Sequence, residues 1–554
     1  MKTLNKFFIA VGVASAMCTT SCVGDLDVPV KNPNELTSES FSDDPEGYLE
    51  RCATQLYQVM ATAGNGGPGS SALGFGDAGA GTFTRTIFNL NEITTDNYSW
   101  LQFNDAGYYE LVTMNFAPDN EVMNAAYSRI YEVVAVCNQF IQTAQGGAFE
   151  GADPARIAEY IRQAKIVRGL AFFYAIDCFG NAGYVDENDL AGTEPRQMQR
   201  AELFNTVVAG LEAVSAEYGE SYATPAYGYV GKEACDALLA KFYLNAATWT
   251  GTPMYDKCWN ICQKIIANHN GGYAGSGLAE SYLALFGANN DQYAAGGGRV
   301  NELIWSLPQD GKSMQSYGGS TFYIAASCGS YDGISSITDC NLNAQWTCMV
   351  ARQQLSELFG FDKNGVTPDL RASIWKTSKD GFVIDNNTIM GNAGYGQGYA
   401  PLKYTNFAYT VDGQIDLANS PDGQGNSFAD ADWTVIRLAE IYLTAAEAHI
   451  LGGVGSASDA LRYVNFVRGR AGVEAWYAAK LTAANILAER DRELYGENDR
   501  RTALVRHGKY AGSAYIWNWK GGVQTGAATS ERYNLFPIPS KVISFSKYDQ
   551  NTGY

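Results

Sequence analysis

Histidine is scarce here, and basic residues are outnumbered. The 554 residues include three histidines, at positions 269, 449 and 507, and none stands where it would pair with a nucleophile. No H-E-x-x-H or G-x-S-x-G motif occurs, so the common zinc-protease and serine-hydrolase arrangements are excluded. Against 58 Asp and Glu stand 39 Lys and Arg, a net charge of −19, which would repel a polyanion, so no nucleic-acid partner is expected. Apart from the N-terminal run, which spans about ten residues, no apolar stretch approaches the ~20 needed to cross a bilayer. Cysteine is sparse and scattered, 11 in all, unlike the dense framework of a small disulfide-stapled domain.

The N-terminus carries Lys2 and Lys6, then the apolar segment Phe7 to Ala16, in the pattern of a secretory leader. Cleavage after Ala14-Ser15-Ala16 would release a soluble protein. Alternatively Cys22, preceded by Thr20 and Ser21, looks like the acylated cysteine of a bacterial lipoprotein. Residues 1–21 are then the signal, and loss of Lys2 and Lys6 takes the charge from −19 to −21. Acyl chains, worth about 0.8 kcal/mol per buried methylene, would hold the chain on a membrane.

Helical periodicity dominates 121–144 and 155–180, where apolar residues recur at three and four. These two helices start about 34 residues apart, the period of tetratricopeptide pairs. Leu-Ala-x-x-Tyr-Leu-x-Ala-Ala occurs at Leu239 to Ala247 and again at Leu438 to Ala446, each copy followed by a glycine-containing turn and a second amphipathic helix. Tyr243 and Tyr442 read as packing residues. The expected class is mainly α, a tetratricopeptide-like helix-pair scaffold with a large loop-rich insertion at 271–432. The division is 22–230 for an N-terminal region and 231–554 for a C-terminal one. A second Gly- and aromatic-rich insertion follows the helix near 46–61.

Several motifs favour structural readings. "GFGDAG" at Gly74 to Gly79 has the spacing of a nucleotide-binding loop, but no strand precedes it. Cys258, Cys262 and His269 share a helix face that is also the apolar stripe, so they read as core. The Glu- and Arg-dense "ERDRELYGENDRR" predicts ion pairs such as Glu489 with Arg492 and Arg490 with Glu493. Acidic turns at Asp186, Glu187 and Asp189 and at Asp422 lack a complete calcium loop. No cofactor is expected, and a structural calcium ion is the one addition these turns would accommodate.

The stretches "WTVIRLAEIYLTAAEA", "ALRYVNFVRGRAGV", "ILAERDRELYGENDRRTALVRHGKY" and "YNLFPIPSKVI", in this order, resemble the SusD/RagB family of Bacteroidetes outer-membrane lipoproteins. The resemblance implies a non-catalytic, surface-exposed lipoprotein that captures a glycan and delivers it to a SusC-type TonB-dependent transporter. A RagB-like peptide-binding role is the alternative. A glycoside hydrolase is the less favoured third, since a carboxylate pair ~5–9.5 Å apart cannot be read from spacing. Asp25 and Asp27 resemble the family's export address.

Sugar rings stack on aromatic faces and bond through their hydroxyls to amide, carboxylate and guanidinium groups. "TTDNYSWLQFND" supplies both kinds, with Asp96, Asn97, Tyr98, Trp100 and Asn104, and by its order resembles the family's first binding loop, with Arg85 upstream. Tyr317, Tyr323, Tyr331 and Trp346 lie where the family brings a second aromatic set. Two or three of these aromatics are expected to face a ligand, with Trp100 and Trp346 first.

Overall fold

The computed structural model describes residues 44–64, 66–73, 77, 79–102, 104–190, 192–328, 334–362, 364–377 and 399–554. The leader, Cys22 and Tyr331 lie outside the described residues. Helix α1 (Pro45–Ala61) begins behind Asp44, whose carboxylate accepts from the Gly47 amide. A short α2 (Phe83–Phe88), capped by Thr82, runs on as a π-helical turn, Asn89–Ile93. Asn120 caps α3 (Glu121–Gln145), and Asp153 caps α4 (Pro154–Tyr174), with Pro154 in the first turn. Then come α5 (Arg200–Glu217), α6 (Lys232–Thr250), α7 (Tyr255–Ala267), α8 (Gly319–Ser327), α9 (Leu438–Gly452), α10 (Ala457–Arg470), α11 (Ala483–Leu494) and α12 (Arg500–Arg506).

The long helices stack in sequence. α3 packs on α4, α4 on α5, α5 on α6 and α6 on α7, and α7 meets α9, which carries α10 and α11. The fold is mainly α, with short strands, as the periodicity predicts. Among the described residues, no helix is long and apolar enough to cross a membrane.

The repeated motif lies on α6 and α9, which touch each other and enclose α7. Lys241 and Glu440 occupy equivalent positions in the two copies, and they form an ion pair with each other. Tyr243 and Tyr442 are buried, with their hydroxyls donating to Glu212 and to the Ser276 carbonyl, so both pack the scaffold. Cys258 and Cys262 are buried on the inner face of α7, and His269 bonds Glu233 at 2.6 Å.

The insertion adds strands. β1 (Tyr98–Trp100) pairs antiparallel with β3 (Met349–Ala351), Trp100 opposite Met349. β5 (Tyr399–Ala400) and β4 (Lys376–Thr377) extend this sheet in the order β1-β3-β5-β4. The "ELIWSL" run forms β2 (Leu303–Leu307), paired with β6 (Trp433–Arg437) leading into α9.

Where the insertion meets α10 and α11, charge is buried in quantity. Glu493 contacts Arg371, Arg437 and Arg470, all four side chains fully buried. The expected Glu489–Arg492 pair forms at 3.0 Å. The expected Arg490–Glu493 pair does not. Arg490 faces α9 and binds Asp499 at 2.6 Å, while Glu493 turns to the insertion and α10. A buried charge takes whichever partner removes it most completely from an unpaired state, and here those partners lie across the fold.

The acidic turns are self-satisfied. Asp186 accepts from the Asn188 amide, Glu187 pairs with Arg168, and Asp422 accepts from the amides of Gln424 and Gly425.

Candidate functional site

Arg85 sits in the middle of α2, where Thr82 starts the helix early enough to turn it inward. Although only 5% exposed, its guanidinium lies 5.0 Å from the Phe322 ring centre, 5.7 Å from Trp346 and 5.8 Å from Trp100. It donates to the Tyr108 hydroxyl and pairs with Asp77 at 3.0 Å. Burial works against this charge, yet Tyr108 and Asp77 outweigh it and hold the Arg85 pKa above its ordinary value.

A pocket of about 480 Å³ opens beside this guanidinium, lined by Asp77, Arg85, Trp100, Gln102, Asp105, Tyr317, Trp346 and Cys348. Tyr317 and Trp346, half-buried, stand 6.0 Å apart between ring centres and present the aromatic surface. Trp346 is held through its backbone, with its amide donating to the Ala325 carbonyl and its carbonyl accepting from the Gln102 side chain. The next residue, Thr347, has φ of 54°, a left-handed conformation costly for a β-branched residue. Strain at that position, of order 1–3 kcal/mol, is a feature of ligand sites and turns the chain just after Trp346.

Gly79 completes the fit. A Cβ there would lie 2.6 Å from the Tyr317 Cβ and 3.1 Å from an Arg85 nitrogen, so this glycine of the "GFGDAG" stretch permits close approach rather than phosphate binding. Burial pushes the Cys348 thiol up to about 12, leaving it an unreactive wall.

Of the residues expected from sequence, Arg85, Trp100, Tyr317 and Trp346 converge on this pocket. Trp100 is not a platform. At 1% exposure it is stacked on Tyr108 at 4.3 Å and on Phe322 at 6.1 Å, both near-parallel, and its indole N–H donates to Asp105. Its edge forms a wall.

Four others are core. Asp96 is clasped by Arg500 through two bonds and accepts from the Tyr515 hydroxyl. Asn97 donates to Glu92, and the Tyr98 and Tyr323 hydroxyls bond each other at 3.1 Å. All four are buried, at 1% exposure or less. Asn104 is exposed but does not line the pocket. Asp77, Gln102 and Asp105 were missed by the sequence reading, the last two only two residues and one residue from flagged positions.

Residues 352–554 match the SusD family. Over its whole length the chain is 28% identical to the starch-binding protein SusD of Bacteroides thetaiotaomicron, covering 99% of that relative. Similar solved structures include surface glycan-binding protein A from Bacteroides fluxus, at 20% identity and a TM-score of 0.66 over 92% of this chain and 99% of that one. Surface glycan-binding protein A from Bacteroides thetaiotaomicron, in complex with laminarihexaose, gives 18% and 0.62 over 91% and 99%. These neighbours confirm the SusD-like fold.

Proposed function

We propose that this chain is a cell-surface glycan-binding protein. The observation that carries the reading is the pocket itself, in which the half-exposed rings of Tyr317 and Trp346 stand beside the Arg85 guanidinium and the polar groups of Asp77, Gln102 and Asp105. Rings supply faces for sugar C–H groups, and the rim supplies donors and acceptors for hydroxyls. The starch-binding relative and the laminarihexaose-bound neighbour support the ligand class. Acylation of Cys22 would anchor the protein to the outer membrane. From there it would pass its glycan to a SusC-type TonB-dependent transporter, acting without catalysis. Release to a transporter favours modest affinity, a Kd in the micromolar to millimolar range, or about −8 to −4 kcal/mol.

Calorimetry of the purified chain against α-glucan and β-glucan oligosaccharides, beside a peptide pool, tests this. Saturable glycan heats with none from peptides are expected. Peptide binding with no glycan binding at millimolar concentration would establish the RagB-like alternative instead.

A further inference from the structure

Cys328 closes α8, the helix whose Phe322 ring lies against Arg85, and Cys340 ends a short helix twelve residues on. Both are fully buried, and their sulfurs lie 3.0 Å apart. Two nonbonded heavy atoms ordinarily settle at ~3.5 Å or more, so this approach is too close for thiols that merely pack. The other close pair, Cys258 and Cys262, lies within a single helix, whereas Cys328 and Cys340 belong to the ends of two different helices, where a bond would change the chain's freedom.

We propose that Cys328 and Cys340 are joined by a disulfide in the exported protein. The pair is placed to matter. The Cys328 carbonyl accepts from the Thr347 amide, the Ala325 carbonyl from the Trp346 amide, and the Ala326 carbonyl from the Cys348 amide. The end of α8 therefore holds the segment bearing Trp346, and a covalent tie at Cys328 fixes that end to the chain around Asn341, whose side chain bonds the carbonyls of Asn406 and Pro421. Outside the cytoplasm, the oxidant is the disulfide of a dithiol oxidoreductase. One cysteine thiolate attacks it to give a mixed disulfide, and the second displaces the oxidoreductase. Two S–H bonds are lost and one S–S bond forms, with two electrons passing to the oxidoreductase, which leaves as a dithiol. Because both sulfurs are inaccessible in the fold, exchange takes place before packing is complete, and burial then shields the bond from reductants.

The proposal rests on export, and the assay separates the two. Full-length protein with its leader is expressed, and its location is scored by fractionation. It is then denatured, alkylated without reduction and digested. A peptide linking Cys328 to Cys340 is expected, 2 Da lighter than the two thiol peptides, with Cys52, Cys137, Cys178, Cys235, Cys258, Cys262 and Cys348 alkylated. A thermal midpoint that falls by several degrees when wild type is reduced, and that no longer responds in C328S/C340S, is expected beside it. Alkylation at both positions in exported protein overturns the disulfide. If the chain stays in the cytoplasm, the surface location fails instead, and refolding in a glutathione redox buffer decides the pair: linkage upholds it and free thiols overturn it.

Discussion

Trp100 and Trp346 line one pocket, yet truncating each should give opposite phenotypes. Trp346→Ala removes a half-exposed ring. Its contact with Arg85 is worth about 0.5–1 kcal/mol, so folding stability should drop by only about 1–2 kcal/mol once the lost packing is included. Binding should suffer more. One indole face is roughly half of the ~150–250 Å² that an aromatic side chain buries, and at ~25 cal/mol per Å² its loss costs a stacked sugar about 2–3 kcal/mol. That is about 30- to 150-fold in Kd. Trp100→Ala instead empties a sandwiched site at 1% exposure, costing about 3–5 kcal/mol, plus about 0.5–1.5 kcal/mol for its stack on Tyr108. The assay pairs calorimetric affinity for a recognised glycan with urea unfolding of both variants. If Trp100→Ala keeps its stability while losing affinity, or Trp346→Ala binds normally, the division of labour drawn here is wrong.

Glu493→Gln should destabilise by about 3–5 kcal/mol, because three buried guanidinium groups lose their shared counter-charge. Removing the exposed Glu220 from Lys264 should cost at most about 1 kcal/mol, with both read by denaturant midpoint. Acid should act through the same residue. Burial pushes the Glu493 pKa up, but Arg470, Arg437 and Arg371 outweigh it and hold it at about 2, so its contribution is full above about pH 4.5 and is lost as pH falls toward 2. Glu92 has the opposite sign. Burial raises it to about 8, so the folded state keeps a proton that the unfolded state releases, and stability declines from about pH 4.5 to 8. Glu92→Gln should flatten that decline in thermal midpoints between pH 5.5 and 8.5, and an unchanged slope would discount Glu92. Cys22→Ala should move the protein from the membrane to the soluble fraction on fractionation, and membrane retention would rule out the lipid anchor.

The helices were legible because their cause is local. Three- and four-residue periodicity with Asp44, Asn120 and Asp153 caps lies within a few residues of what it determines. The repeat at Leu239 and Leu438 was legible for the same reason. The site was legible in part. "TTDNYSW" has the composition of a sugar-binding loop, but whether a Tyr or Asp faces solvent is decided by partners such as Arg500, Tyr515 and Tyr323, more than two hundred residues away. The Arg490 and Glu493 misreading has the same origin. Helical spacing made them neighbours, and distant counter-charges gave each a better partner. Trp346 and Tyr317 line the pocket beside Asp77, Arg85 and Gln102, a grouping made by segments more than two hundred residues apart that spacing along the chain does not reveal.

The buried ion network also bears on what part of this protein can exist alone. The segment from 352 to 554, over which the family match runs, contains Arg437, Arg470 and Glu493 but lacks Glu302, which both arginines bind. It also begins just after β3, leaving behind Met349 and Val350 and the β1 strand they pair with, and it carries Glu440 without Lys241. Cut out, it would hold unpaired charge in a dry interior and an exposed strand edge, so its stretch of shared ancestry is not an autonomous piece of chain. Family resemblance here marks a region of inherited sequence, while independence belongs to the whole, and engineered truncations or grafts should respect the second boundary rather than the first.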